Sequence, residues 1–262
     1  MSIDTKIREE ILDQIKLIEE EHDVRVLMAI ESGSRAWGFS SADSDYDVRF
    51  VYVHKPEWYL RVFPQRDVIE VPIDPVLDIN GWELRKSLQL LCKSNGALTE
   101  WINSPVTYVE DSEFRAEIMG LQKALLNPRA LFHHYFSMAR GKYEVVAASD
   151  EPRLKDYFYL LRAALCCEHL IRRGATPPVL FSELLADYCQ SHTSFSLGSV
   201  IDEWLEQKKR ATEKNTIPRN AAIDGWIKMV LGDAEKNPPE PENKGIESTN
   251  LDKLLFYNVR AE

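Results

Sequence analysis

Asp45 and Asp47 stand one residue apart at the end of the stretch ESGSRAWGFSSADSDYD, and ten residues separate them from a small-residue pair, Gly33-Ser34. In a β-strand residues i and i+2 project from one face, so two such carboxylates converge while Tyr46 points the other way. Converging carboxylates repel unless a cation lies between them. Magnesium meets that need, because this hard ion takes one or two carboxylates and completes its shell with water and substrate phosphate oxygens. A Gly-Ser turn is the complement: its amides can cradle phosphate, and glycine has no Cβ to obstruct a close approach. Phosphate on one side and metal on the other together describe a site for a nucleoside triphosphate.

Positioning these groups takes a strand on each side. VRVLMAIESG reads as a strand punctuated by Gly33, and YDVRFVYV, Tyr46 to Val53, as a second. Before them, residues 4 to 21 space Ile7, Ile11, Ile15 and Ile18 three or four apart, which predicts an amphipathic helix capped by Asp4 or Thr5. KPEWYL opens with a helix-compatible proline, and DVIEVPI and PVLDING are two short strand candidates around the turn-prone Asp74-Pro75. From Trp82 the spacing becomes helical, through Leu84, Leu88, Leu91, Leu98 and Trp101 and then through nearly everything that follows. ALFHHYFSMARGKYEVV and RLKDYFYLLRAALCCEHLIRRG are long apolar-striped segments, the second closed by Gly174 after Arg172 and Arg173. Strand signals are thus confined to the first hundred residues. The expected organisation is an α+β module over 1–108 and an all-helical module over 109–262, with a seam near NSPVTYVEDSEF. GDAEKNPPEPENKG, residues 232 to 245, reads as an exposed linker before a short C-terminal element.

Composition excludes several classes. A chain of 262 residues with 44% hydrophobic and 28% charged residues has ample material for a buried core and is ordinary for a globular protein. No run of about 18 apolar residues exists, and MSIDTKIREE lacks the apolar stretch of a signal peptide, so the expected location is the cytoplasm. Cys92, Cys166, Cys167 and Cys189 have neither paired metal spacing nor a disulfide framework and read as unremarkable thiols. A net charge of -10 argues against a broad, sequence-blind grip on nucleic acid, though not against a local basic groove.

The order GS, ten residues, DYD resembles the active-site signature of the polymerase-beta-type nucleotidyltransferase superfamily. The longer strings GSRAWGFSSADSDYDVRFVYV, LDINGWELRKSLQLL, SNGALTEWINSPVTY, FHHYFSMAR and KDYFYLLRAAL resemble, more narrowly, its RNA-ligase-associated family named for RNA repair. The likeness runs from about Val26 to about Asp252. It implies a polymerase-beta-type catalytic domain, a mixed sheet with helices, followed by a helical domain that closes the nucleotide cleft. It also assigns Gly33 and Ser34 to the phosphate-binding turn and Asp45 and Asp47 to the metal. A third acidic residue of that family, on a later strand, matches Asp78, with Asp74 as the rival position. The implied cofactor is a pair of magnesium ions, with manganese as the substitute, about 4 Å apart and clamping an in-line displacement. The implied reaction moves a nucleoside monophosphate from a triphosphate such as ATP to a hydroxyl, with pyrophosphate as the leaving group. Acceptors consistent with the family are an RNA end, a protein hydroxyl or a small molecule. A catalytically inert nucleotide-binding relative is the remaining alternative.

Further residues have two readings each. Arg35 and Arg49 can neutralise triphosphate charge, and Arg49 can equally be a salt-bridge partner that holds the aspartates apart. Trp37 can stack on a base or pack in the core. Lys155, Tyr159 and Arg162 fall at i, i+4 and i+7, one helix face, which suits a wall meeting triphosphate and base. Arg85 and Lys86 read as a solvated face near the cleft, as does the charged run EQKKRATEK; His133 and His134 have no zinc-type spacing.

Overall fold

The computed structural model describes residues 3–72, 76–193, 196–241 and 248–260. In chain order the elements are α1 (Thr5–His22), β1 (Val24–Glu31), α2 (Gly33–Ala36), β2 (Tyr46–His54), α3 (Pro56–Tyr59), β3 (Val68–Glu70) and β4 (Leu77–Glu83). They continue with α4 (Leu84–Cys92), α5 (Gly96–Ile102), β5 (Thr107–Glu110), α6 (Ser112–Leu125), α7 (Pro128–Ala147), α8 (Leu154–Arg173), α9 (Phe181–Ser191), α10 (Gly198–Arg210), α11 (Ala221–Lys236) and α12 (Ser248–Arg260). This is the α+β class expected, a mixed sheet with helices and a helical C-terminal region. Among the described residues no helix is long and apolar enough to cross a membrane.

The chain forms two compact units. The first contains the elements from α1 to α6 together with α12; the second contains the segment Trp37–Ser44 and α7 to α11. A cut between residues 108 and 109 would fall inside β5, which pairs with β1, so the first unit runs further along the chain than that seam. The short C-terminal helix also returns to this unit.

In the first unit the sheet order is β3-β4-β2-β1-β5. β2 and β4 run parallel, and the other pairs are antiparallel. Strand alternation sorts the side chains onto two faces. Val48, Phe50, Tyr52, Leu77 and Ile79 pack with Ile11, Ile15 and Ile18 of α1, the stripe that the sequence spacing predicts. On the opposite face Val51 and Val53 join Leu84, Leu88, Leu98, Trp101, Phe114, Ile118 and Leu254 from α4, α5, α6 and α12. Gly81 lies in register with Phe50, and a Cβ there would stand 2.2 Å from that ring, which explains a glycine inside a strand.

Local chemistry sets the element ends. Asp4 accepts from the amides of Lys6 and Ile7 at 2.9 and 3.3 Å and caps α1. The helical run expected from Trp82 divides in two: Trp82 and Glu83 still belong to β4, Ser94 adopts φ +49°, and the Asn95 side chain caps α5 at the Leu98 amide, 3.0 Å. β5 lies beyond the first hundred residues, where no strand is expected. Its four residues, TYVE, are too few to show a period by themselves, and pairing with β1 supplies what propensity does not. Residues 232 to 236 of the expected linker are the last turn of α11, and its residues 242–245 lie outside the described residues, as does Asp74.

In the second unit α7 packs along α8, and α9, α10 and α11 pack around α8. Fourteen of its twenty residues are buried, including Cys166 and Cys167, so α8 is the centre of this core. Gly174 ends it in the left-handed conformation, φ +60°. Asp187 on α9 ties the end of α8 down: Arg172, Arg173 (2.7 Å) and His169 Nδ1 (3.0 Å) all bind its carboxylate. Burial alone would raise that carboxyl's pKa, but these neighbours outweigh it and hold it at about 2. A depressed carboxyl contributes stability that is present above its unfolded value of 3.8 and is lost as the pH falls toward 2. Asp187→Asn is therefore expected to lose about 2 kcal/mol at pH 6. In urea unfolding its deficit against wild type should narrow as the pH is lowered through that window; a deficit that stays constant would contradict an electrostatic origin.

Candidate active site

Parallel pairing decides the geometry of the acidic residues. In the register of β2 against β4, Asp47 lies opposite Asp78 and Arg49 opposite Asn80. Because Tyr46, Val48, Leu77 and Ile79 are committed to the α1 face, alternation sends Asp47, Arg49 and Asp78 to the other face, at the end of β2 before Val51 and Val53 begin the core. Nη2 of Arg49 donates to Asp47 Oδ1 at 3.0 Å and to Asp78 Oδ2 at 2.7 Å, while Nη1 donates to the carbonyls of Val48 and Asp78 at 3.0 and 2.7 Å. Of the two readings of Arg49, the salt-bridge partner is the one observed.

Gly33 supplies the next constraint. Its φ is +60°, and a Cβ on it would stand 2.1 Å from Asp47 Oδ2. The glycine backbone is thus fitted directly against one oxygen of the carboxylate, with the other on Arg49. Ser32 reinforces the contact, its amide donating to the Asp47 carbonyl at 2.8 Å. Ser34 is 5% exposed within the single turn of α2. Arg35 lies with its guanidinium 3.7 Å from the Tyr46 ring centroid and its Nε on the Asp45 carbonyl at 2.9 Å, so it braces the start of β2.

Asp45 itself precedes β2 and is exposed. Among the described residues no group of three or more His, Cys, Asp or Glu side chains is assembled that could hold a metal ion. Asp47 and Asp78 are brought together, and Asp45 is not joined to them as a third ligand. The pair still suits a hard divalent cation, which needs one or two carboxylates. Both oxygens already converge on a single cationic nitrogen, a guanidinium standing where such an ion would bind.

Glu31 begins the motif, and spacing alone assigns it no role. It is completely buried at the end of β1, accepts from the Asp47 amide at 3.0 Å through Oε1, and takes the Tyr108 hydroxyl of β5 on Oε2. Burial pushes its carboxyl up to about 7, even though both donors favour the charged form. The signal was present, since an acidic residue closing an apolar strand has to find partners, but the identity of Tyr108 was not.

The helix-face trio is placed in the second unit. Lys155 pairs with Glu213 at 2.9 Å, and the ammonium groups of Lys142 and Lys155 lie 5.2 and 5.7 Å from the Tyr159 ring centroid. Arg162 departs from the expected accessible wall: it is 2% exposed, its guanidinium over Trp37 at 4.4 Å and near Tyr135 at 5.9 Å. Stacking on aromatic faces is what lets an arginine sit in an apolar helix core. Trp37 likewise takes its core reading, packed on Phe39 and Tyr159. Lys86 engages Asp67 at 2.9 Å. The run EQKKRATEK is not wholly a solvated face, because Lys208 is 1% exposed and donates to Ser41 Oγ at 2.7 Å.

Residues 7–257 match the sequence profile of the RNA repair pathway DNA polymerase beta family, RlaP. The chain belongs to this family. RlaP membership bears out the resemblance carried by the GS and DYD motif and puts the chain among the polymerase-beta-like nucleotidyltransferases. An uncharacterized protein of Bacillus subtilis (strain 168), YcgL, is 40% identical over 254 residues, covering 97% of this chain and 96% of that one. A nucleotidyltransferase-like protein from Exiguobacterium sibiricum 255-15 aligns over 94% of this RlaP chain and 87% of its own, with 11% identity and a TM-score of 0.31, a likeness too weak to carry an inference.

For Gly33→Ala two costs add: a side chain at positive φ, and a Cβ driven into Asp47. The expected result is a loss of about 1–3 kcal/mol in chemical unfolding and nucleotide transfer reduced at least a hundredfold. Full activity in this variant would show that the Asp47 carboxylate does not need its observed position.

Proposed function

We propose that this protein is a metal-dependent nucleotidyltransferase that moves a nucleoside monophosphate from a nucleoside triphosphate to a hydroxyl, with an RNA end as the acceptor. The observation that carries the reading is the pairing of Asp47 with Asp78 on one sheet face, beside a glycine whose missing Cβ lets its backbone pack directly against the Asp47 carboxylate. Asp47 and Asp78 would hold magnesium; Asp45, exposed just before β2, would have to turn toward them to add a third carboxylate. Bound there, the ion would supply charge stabilisation at the phosphoryl oxygens, the largest demand that this class of reaction makes.

The chain's own groups have separate tasks. The Gly33-Ser34 turn orients the triphosphate, and Arg35, at the same turn, offsets its negative charge. Asp78 accepts the proton of the attacking hydroxyl. The hydroxyl oxygen bonds to the α-phosphorus, the α–β anhydride bond breaks, and pyrophosphate leaves with that electron pair. Glu31 acts through Asp47, holding its amide so that the carboxylate keeps its direction.

The family's description as an RNA repair pathway supports an RNA acceptor; the net charge of -10 favours contact with a short end over a long duplex track. Each α-labelled triphosphate, incubated with the protein, magnesium and separate pools of RNA, protein and small molecules, should deliver label to RNA with stoichiometric pyrophosphate. Asp45→Ala combined with Asp47→Ala should abolish it. Label in protein instead would move the acceptor to a polypeptide hydroxyl. Tight triphosphate binding without pyrophosphate release in any pool would overturn the enzymatic reading.

A further inference from the structure

Arg49 deserves a role of its own in the metal-dependent reading, on which the following rests. Its Nη2 is shared by Asp47 Oδ1 and Asp78 Oδ2, and its Nη1 by the Val48 and Asp78 carbonyls, so two contacts within β2 and two to β4 meet on one planar group. The Arg49 side chain is 18% exposed, against 24% for Asp47 and 38% for Asp78. The ion pair is therefore shielded but open on the Asp78 side. Asp47 has little freedom to receive a second cation elsewhere: its other oxygen, Oδ2, lies against Gly33. A divalent ion reaching Asp47 must use the oxygen that Arg49 holds. It cannot simply join the guanidinium, since two positive groups on one carboxylate oxygen repel at contact distance.

We propose that Arg49 is an internal cation that occupies the Asp47–Asp78 pair in the metal-free protein and competes with the divalent ion for it. Arg49 is then a positioning residue with two effects. It keeps the two carboxylates from repelling each other while no ion is bound, and it lowers the intrinsic metal affinity, so that the site fills only when something else on the substrate rewards the exchange. A nucleoside triphosphate is suited to that, as it brings its own oxygen ligands to the ion and offers the released guanidinium an anion. Coupling of this kind is reciprocal: the factor by which Arg49 lowers the ion's affinity for the pair is the factor by which the ion lowers Arg49's.

Mn2+ binding without nucleotide tests this on the full chain, read by titration calorimetry and by the shift in melting temperature, neither of which needs activity. Arg49→Met should bind Mn2+ about tenfold more tightly than wild type; without metal it should melt lower, and Mn2+ should raise its melting temperature by more than it raises wild type's. Arg49→Lys keeps a charge but cannot span both carboxylates and both carbonyls, and should tighten binding by a smaller factor. If Arg49→Met does not fold, Arg49→Lys decides. Unchanged or weaker Mn2+ binding in these variants would overturn the competition and leave Arg49 a brace that preforms the metal site. The control is Asp47→Asn with Asp78→Asn, which should abolish binding. Binding that survives the control, or no binding in any variant, would overturn the proposed metal site itself and the competition with it.

Discussion

A parallel strand pair that places one aspartate level with another creates an electrostatic problem before it creates a site. Two carboxylates about 5 Å apart repel by about 3 kcal/mol at an effective dielectric of 20, and β2 and β4 cannot be paired in this register without bringing Asp47 and Asp78 side by side. Arg49 resolves it from within the same strand. Its position two residues after Asp47 puts it on the same face, and its guanidinium fork matches two carboxylates and two carbonyls at once. The acidic pair is held in this register with its charge offset by this local neutralisation.

Around that centre each neighbour limits the freedom of Asp47. Gly33 closes one side, the Ser32 amide holds its carbonyl, and Glu31 holds its amide from a completely buried position. Three consecutive residues at the end of β1 thus bear on one aspartate of β2, an arrangement that antiparallel pairing of these strands makes available. A carboxyl raised to about 7 by burial is a costly way to hold a backbone amide. Its presence argues that the direction of the Asp47 side chain matters more than the stability spent on it.

The segment between the two halves of the motif is not a loose loop. Residues 37 to 44 belong to the second unit, where Phe39 packs on Phe158 and Phe181, Ser44 donates to Glu213 at 2.6 Å, and buried Lys208 holds Ser41. The Glu213 amide in turn donates to Asp43 at 2.9 Å. Both ends of this anchored segment are covalently continuous with the site, through Ala36 on one side and Asp45 on the other. Lys155, expected to meet a triphosphate, is part of the same network through Glu213.

Much of this was determined by the sequence alone, wherever the physics is local. The isoleucine spacing of α1, the strands on each side of the motif, the glycine end of α8 and the alternation that turns Tyr46 inward follow from periods of 3.6 and 2 and from the conformations that Gly and Asp permit. The types and spacing of Gly33, Ser34, Asp45 and Asp47 were enough to point to the superfamily that the sequence profile supports. What only the tertiary structure decided depends on register and on partners distant in the chain. Asp78 becomes the neighbour of Asp47 through a parallel pairing that no local pattern encodes. Arg162 could be buried because Trp37 and Tyr135, far away in sequence, offer it aromatic faces, and Lys208 because Ser41 and Glu213 satisfy its ammonium group. A charged side chain's fate is set by whether the fold brings it a counterpart, and that information lies in the three-dimensional arrangement of the chain, not in its order.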